Sequence, residues 1–96
     1  LEIKDFQEHI RKLYYERDLR RGREKTMLWF VEEVGELAEA VRRGDINSIR
    51  EEIADVFAWL VSIANLYDVD IESAVREKYP DRCLRCGKFP CECDEE

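Results

Sequence analysis

Two acidic runs carry residues able to do chemistry together: Glu32-Glu33-Val34-Gly35-Glu36 and Glu52-Ile53-Ala54-Asp55. Within them, Glu33 and Glu36, and again Glu52 and Asp55, stand three positions apart, which on a helix is about one turn along the same flank. Carboxylates held close together repel strongly unless a cation sits among them. An all-oxygen donor set suits a hard divalent cation such as Mg²⁺, or Mn²⁺ in its place. The competing reading is a solvated acidic face, since the chain has 23 acidic residues. The placement of the two runs on neighbouring elements favours the metal site.

Four helical segments are expected from the apolar periodicity: about 2–19, 24–43, 46–67 and 71–78. Gly22 interrupts the first pair, Gly44 stops the second segment after two arginines, and Pro80 ends the fourth. Asp45 or Asn47 is a candidate cap for the third segment and Asp70 for the fourth. On the second segment Met27, Val31, Val34, Ala38 and Val41 form the main apolar face, read as the core face; Trp29, Glu33, Glu36 and Ala40 form a stripe beside it. The third segment follows the same plan, with Ile46, Ile53, Phe57, Leu60 and Ala64 on its core face and Glu52, Asp55, Trp59 and Leu66 on the side stripe. Folded as an antiparallel hairpin turning near Gly44, these segments bring Glu36 level with Glu52, Glu33 with Asp55, and Trp29 with Trp59.

The chain is 96 residues long, enough for one small domain whose core alone supplies only a few kcal/mol. A 45% hydrophobic and 41% charged composition suits a helical protein and is too apolar for a disordered one. A net charge of −7 argues against a general nucleic-acid binder. No apolar run approaches the roughly 20 residues needed to span a bilayer, which argues against a membrane protein. The start, LEIKDFQEHI, carries no signal-peptide pattern, so the expected location is cytoplasmic. Few amide residues among many ion-pairing ones is a composition seen in thermophiles.

After Pro80 the composition changes to a cysteine-rich tail, so two units are expected: an all-α domain over 1–80 and a tail over 81–96. Cys83, Cys86, Cys91 and Cys93 provide four thiolates, the set for a closed tetrahedral zinc site, with Gly87 and Pro90 for the tight turns. Disulfides and an iron–sulfur cluster are the alternatives. Glu92, Asp94, Glu95 and Glu96 make the tip too acidic for phosphate contact.

The paired acidic motif, with WFVEEVGELAEAV, EEIADVFAWLVSIANLYDVDIESAV and EKYP around it, resembles the MazG-like all-α nucleotide pyrophosphohydrolases over about Thr26–Pro80. That resemblance implies that Glu33, Glu36, Glu52 and Asp55 bind magnesium. It implies hydrolysis of a nucleoside triphosphate between the α- and β-phosphates, to a monophosphate and pyrophosphate, with removal of unwanted nucleotides as the role. Glu32 or Glu36 would take the proton of the attacking water. Lys78 and Tyr79 of EKYP resemble the family's phosphate-side motif. Phosphoribosyl-ATP pyrophosphohydrolases share the acidic theme but carry an aromatic–histidine pair after the aspartate; here Ala58, Trp59 and Leu60 stand in that region and the one histidine is His9.

Other residues carry open readings. Arg17, Arg20, Arg21, Arg23 and Lys25 are either a solvated basic face or contacts for substrate phosphates. Asn65 is either helix-surface polarity or a donor to base or sugar, and Trp29 either packs or stacks on a base. The wide apolar arcs of the two long helices exceed what one hairpin covers, so a homo-oligomer, dimer or tetramer, is expected. The rival of another class is a non-catalytic helical oligomer that binds a protein through its acidic patch and zinc tail.

Overall fold

A computed structural model describes residues 1–94; Glu95 and Glu96 of the acidic tip lie outside the described residues. Four helices follow in order: α1 (Ile3–Arg21), α2 (Arg23–Arg43), α3 (Ile46–Leu66) and α4 (Ile71–Lys78). No strand occurs among the described residues, and no described helix is long and apolar enough to cross a membrane.

The breaks fall where the backbone demands them. Gly22 has φ 90°, a conformation an L side chain rarely adopts, and parts α1 from α2 by one residue. Its N–H still closes α1 on the Asp18 carbonyl at 2.9 Å, while its carbonyl accepts the first bond of α2 from the Thr26 N–H at 3.1 Å. Gly44 takes the left-handed conformation (φ 72°, ψ 22°) that ends α2. Asp45 then caps α3 by accepting from the N–H groups of Asn47 and Ser48 and from the Ser48 hydroxyl. Asp70 precedes α4, but its side chain accepts only from the Ser73 hydroxyl, at 2.9 Å, and caps no backbone N–H.

α2 and α3 form the antiparallel hairpin, and α1 lies across α3. Phe6 stacks on Phe57 with centroids 5.4 Å apart. Gln7 is the polar pin between α1 and the α3–α4 turn. Its amide donates to Asn65 Oδ1 at 3.0 Å and to the Val69 carbonyl at 2.7 Å, and its Oε1 accepts from the Ile71 N–H at 3.0 Å. Asn65 is buried, 1% exposed, and this corrects the reading of it as helix-surface polarity: its side chain faces Gln7.

The hairpin does not pack on the faces expected to be its core. Val31, Val41, Ile46 and Ile53 are each more than half exposed, Ala38 is exposed, and Ala64 is half-buried. The seam is instead made by Thr26, Phe30, Glu33, Leu37 and Ala40 of α2 against Ile49, Glu52, Val56 and Trp59 of α3, all buried or half-buried. The apolar stripes lie roughly 110° around each helix from this seam, in the same rotational sense. In an antiparallel pair the same sense puts both stripes on one side of the hairpin. Glu36, Asp55 and Trp29 are displaced in the opposite sense, so the acids open on the other side. The reason for the departure is that an acid-bearing stripe alone is too polar to suggest a seam, whereas Ala40, 1% exposed, is small enough for the helices to approach closely toward the turn.

The buried set is correspondingly thin. Ile10, Ala40, Val61 and Leu66 are its apolar members, beside the polar Asp18, Thr26, Ser62 and Asn65. Such a core leaves α2 and α3 with apolar surface facing solvent.

Candidate functional site

The α2–α3 seam gathers one oxygen each from Glu33, Glu36 and Glu52 within 4.8 Å of one another. Glu33 and Glu52 are half-buried and Glu36 is exposed. Glu33 Oε2 and Glu52 Oε1 are both inaccessible to solvent and lack a hydrogen-bond partner. A buried carboxylate oxygen that no protein donor reaches is costly. The Glu33 carboxyl is pushed up to about 7 by burial first, then by the charges of Glu36, Asp55 and Glu52. Glu52 is also raised, again by burial first and then by Glu36 and Asp55. Orphaned oxygens, a hard all-oxygen donor set and mutual repulsion together fit a divalent cation of the Mg²⁺ type.

Asp55 stands outside the gathered set. It is exposed, near enough to raise both half-buried glutamates, and it lines an adjoining cavity. Glu32 is exposed and also outside the set. The tryptophan pair stacks, with ring centroids 6.2 Å apart and planes at 11°. Trp29 keeps 42% of its surface exposed. The guanidinium of Arg21 lies over the Trp59 ring at 4.8 Å.

The cavity, of about 290 Å³, lies between α1 and α3 and is lined by Tyr14, Arg17, Asp18, Arg21, Asp55, Ala58, Trp59 and Ser62. It divides the basic cluster. Arg17 and Arg21 line it, Arg23 is drawn away to the Leu66 carbonyl and the Tyr67 ring, and Arg20 and Lys25 are exposed. Lys78 and Tyr79 are exposed at the end of α4 and are not among the lining residues. Asp18 was not singled out by the sequence reading. The available signal was its place four and eight residues beyond Tyr14 and Ile10 on the apolar stripe of α1; the surrounding arginines hid it.

The tail forms a second cluster. One sulfur from each of Cys83, Cys86, Cys91 and Cys93 lies within 4.8 Å of the others, and all four cysteines are free. Cys83 and Cys93 Sγ are 3.6 Å apart, close to the ~3.8 Å edge of a tetrahedron of thiolates about 2.3 Å from one zinc ion. The chain is turned to aim backbone donors at sulfur: Glu92 N–H points to Cys86 Sγ at 3.4 Å and Cys93 N–H to Cys91 Sγ at 3.3 Å. Gly87, at φ 72°, closes the first turn by donating to the Cys83 carbonyl at 2.7 Å. Backbone donors from Cys86 and Arg85 pull the Cys83 thiol down to about 6, while its bonds to Cys91, Cys83 and Cys86 push Cys93 up to about 12. Four thiols so placed ionise together only around a cation.

The sequence model of the MazG nucleotide pyrophosphohydrolase domain matches residues 21–86. A comparison with curated proteins found no significant match.

The raised Glu33 carboxyl predicts a pH effect. In buffer free of divalent cations, Glu33 holds its proton to about pH 7 in the folded chain and to about 4.5 when unfolded. Its protonation therefore favours the folded state at low pH, and that stability is lost as pH rises through about 7. The thermal midpoint should fall between pH 5 and 8 by more in the parent than in Glu33→Gln, and Mg²⁺ should raise it more at pH 8 than at pH 5. Parallel profiles for the two proteins would remove Glu33 from the seam chemistry.

Proposed function

The chain belongs to the MazG nucleotide pyrophosphohydrolase domain family, and on that premise we propose that it hydrolyses nucleoside triphosphates, ribo- or deoxyribo-, to the monophosphate and pyrophosphate. The observation that carries this reading is the gathering of Glu33, Glu36 and Glu52 around two buried carboxylate oxygens without partners. Those three and Asp55 would hold magnesium, or manganese in its place. When bound, the cation supplies neutralisation of polyphosphate charge and a lowered pKa for the attacking water.

The remaining work falls to the chain's own side chains. Glu33 and Glu52, fixed in the seam, set the position of the donor set, while the exposed Glu36 and Asp55 face the substrate side. Glu36 or Glu32 accepts the proton of the water that attacks the α-phosphorus, and the bond to the bridging oxygen of the β-phosphate breaks. Arg17, Lys25, Lys78 and Tyr79 are exposed and available to the departing pyrophosphate. Trp29 offers an aromatic face beside the acids. A role in clearing unwanted nucleotides, in the cytoplasm, follows from the same reading.

A homo-oligomer belongs to the same proposal. The apolar stripes of α2 and α3 share one side of the hairpin, opposite the acids, and a second copy of that face would cover them and form a bundle. The tail, 81–96, is proposed as a structural zinc clip distinct from the catalytic domain over 1–80. Its exposed Leu84 and Phe89 give it no core of its own, so metal binding supplies its folding free energy.

Three experiments test these assignments. Glu36→Gln and Asp55→Asn should each lower Mg²⁺-dependent pyrophosphate release about a hundredfold or more, with helical content retained; turnover equal to the parent would sink the site. Light scattering at micromolar concentration should give a dimer or tetramer, which Val31→Glu combined with Ile53→Glu should convert to monomer; a monomeric parent would refute the covered face. Elemental analysis should find one zinc per chain, lost on Cys83→Ser with Cys86→Ser, while Mg²⁺-dependent hydrolysis persists; a metal-free tail, or an inactive but folded variant, would overturn the clip or its separation from catalysis.

A further inference from the structure

The side of α1 that borders the α1–α3 cavity brings two guanidiniums together. Arg17 and Arg21 stand four residues apart, about one turn along the helix, and both line the cavity. They are held differently. Arg21 Nη1 donates to Asp18 Oδ1 at 2.8 Å and to Thr26 Oγ1 at 3.3 Å, and its guanidinium lies over the Trp59 ring at 4.8 Å. Asp18 is 2% exposed and its other oxygen is closed off from solvent, so its charge holds Arg21 and meets no ligand. The Arg21 side chain keeps 22% of its surface, and among the described residues its Nε and Nη2 donate to no group of the chain. Arg17 is exposed and has no ion-pair partner among the described residues. A fixed fork of N–H donors with a free one beside it suits an anion with several oxygens.

The neighbouring acids indicate which anion. Asp55 forms one wall of the cavity and acts electrostatically with the seam, since it raises both Glu33 and Glu52. A ligand that extends from the cation-holding carboxylates into the cavity therefore passes from negative side chains to positive ones. A phosphate chain carrying a divalent cation at one end matches that polarity, and an uncharged base does not. The Trp59 ring, on which a base would stack, already carries Arg21 and stacks with Trp29.

We infer that Arg17 and Arg21 form the seat of the leaving group, binding the β- and γ-phosphates of a nucleoside triphosphate in the α1–α3 cavity. This rests on the reading of the chain as a nucleoside triphosphate hydrolase and assigns the cavity to the phosphate end of the substrate. The water oxygen bonds to the α-phosphorus, the bond from that phosphorus to the bridging oxygen breaks, and its electron pair stays with the β-phosphate. The two guanidiniums meet the charge that grows on the departing pyrophosphate. Asp18 is a positioning residue that acts through Arg21.

The test reads binding apart from turnover. Inorganic pyrophosphate, titrated into the full chain without metal, should shift the Trp59 indole resonance and should bind about tenfold more tightly than orthophosphate. Arg17→Gln should weaken pyrophosphate about tenfold, whereas Arg76→Gln, the same charge change on α4, should leave it unaltered. Arg21→Lys keeps the charge beside Asp18 but loses the fork, and should weaken pyrophosphate as much as Arg17→Gln does; should it unfold, Arg17→Gln decides. Asp55→Asn should tighten metal-free pyrophosphate, opposite in sign to its effect on turnover. With Mg²⁺, the parent should prefer a nucleoside triphosphate to the diphosphate by about tenfold or more in kcat/KM, and Arg17→Gln should narrow that preference. Equal weakening by Arg17→Gln and Arg76→Gln would reduce the effect to net charge and overturn the inference. A nucleoside that shifts Trp59 where pyrophosphate does not would also overturn it, by giving the cavity to the base. If no triphosphate is hydrolysed but pyrophosphate binds in an Arg17-dependent way, the anion seat stands and the proposed reaction falls.

Discussion

The contact between α2 and α3 carries carboxylates where a helix pair ordinarily carries aliphatic side chains. Glu33 and Glu52 are half-buried in it, with one oxygen of each closed off from solvent and unpartnered. Seams of this kind oppose their own formation, because burial and like charge both disfavour the ionised form. Chain connectivity and capping must therefore hold the helices in register. Gly44 in the left-handed conformation and Asp45 at the start of α3 do so at the turn; Thr26, fully buried and bonded to the Gly22 carbonyl, does so at the other end of α2. A cation in the seam would convert the opposition into attraction.

Placing acids in the seam has a consequence for the rest of the surface. Each long helix has one broad apolar face, and turning the acid stripe inward turns that face out. The same choice of register thus produces both a polar site on one side of the hairpin and an apolar surface on the other. Within a single chain the buried set is as rich in polar members, Asp18, Thr26, Ser62 and Asn65, as in apolar ones. Much of the apolar surface of α2 and α3 therefore stays outside the buried set of the single chain.

The elements were largely legible in the sequence. Glycine breaks, the Asp45 cap and helical periodicity place the four helices to within about two residues of their ends, and the levelling of Trp29 with Trp59 is seen as ring stacking. The acid motif was legible because spacing of three on facing helices is a geometric statement. The packing face was not. A helical wheel ranks faces by apolarity, and here the most apolar face is not the one that meets its neighbour within the chain. Asn65 was misread for the same reason: its polarity suggested solvent, while its position faces Gln7 of α1, a contact 58 residues distant in sequence that no local pattern encodes. Asp18 was missed because it sits among arginines, which reads as surface charge.

Asp18 and Glu33 present the same physical situation in two chemistries. Each has a buried oxygen without a donor, and each lies beside an opening. Their surroundings differ. Glu33 is ringed by other carboxylates, so its missing partner is a cation of high charge density. Asp18 already has Arg21 on one oxygen, so local charge is balanced. A metal ion would be repelled there by Arg17 and Arg21. Asp55, which raises Glu33 and also lines the α1–α3 cavity, stands between the two.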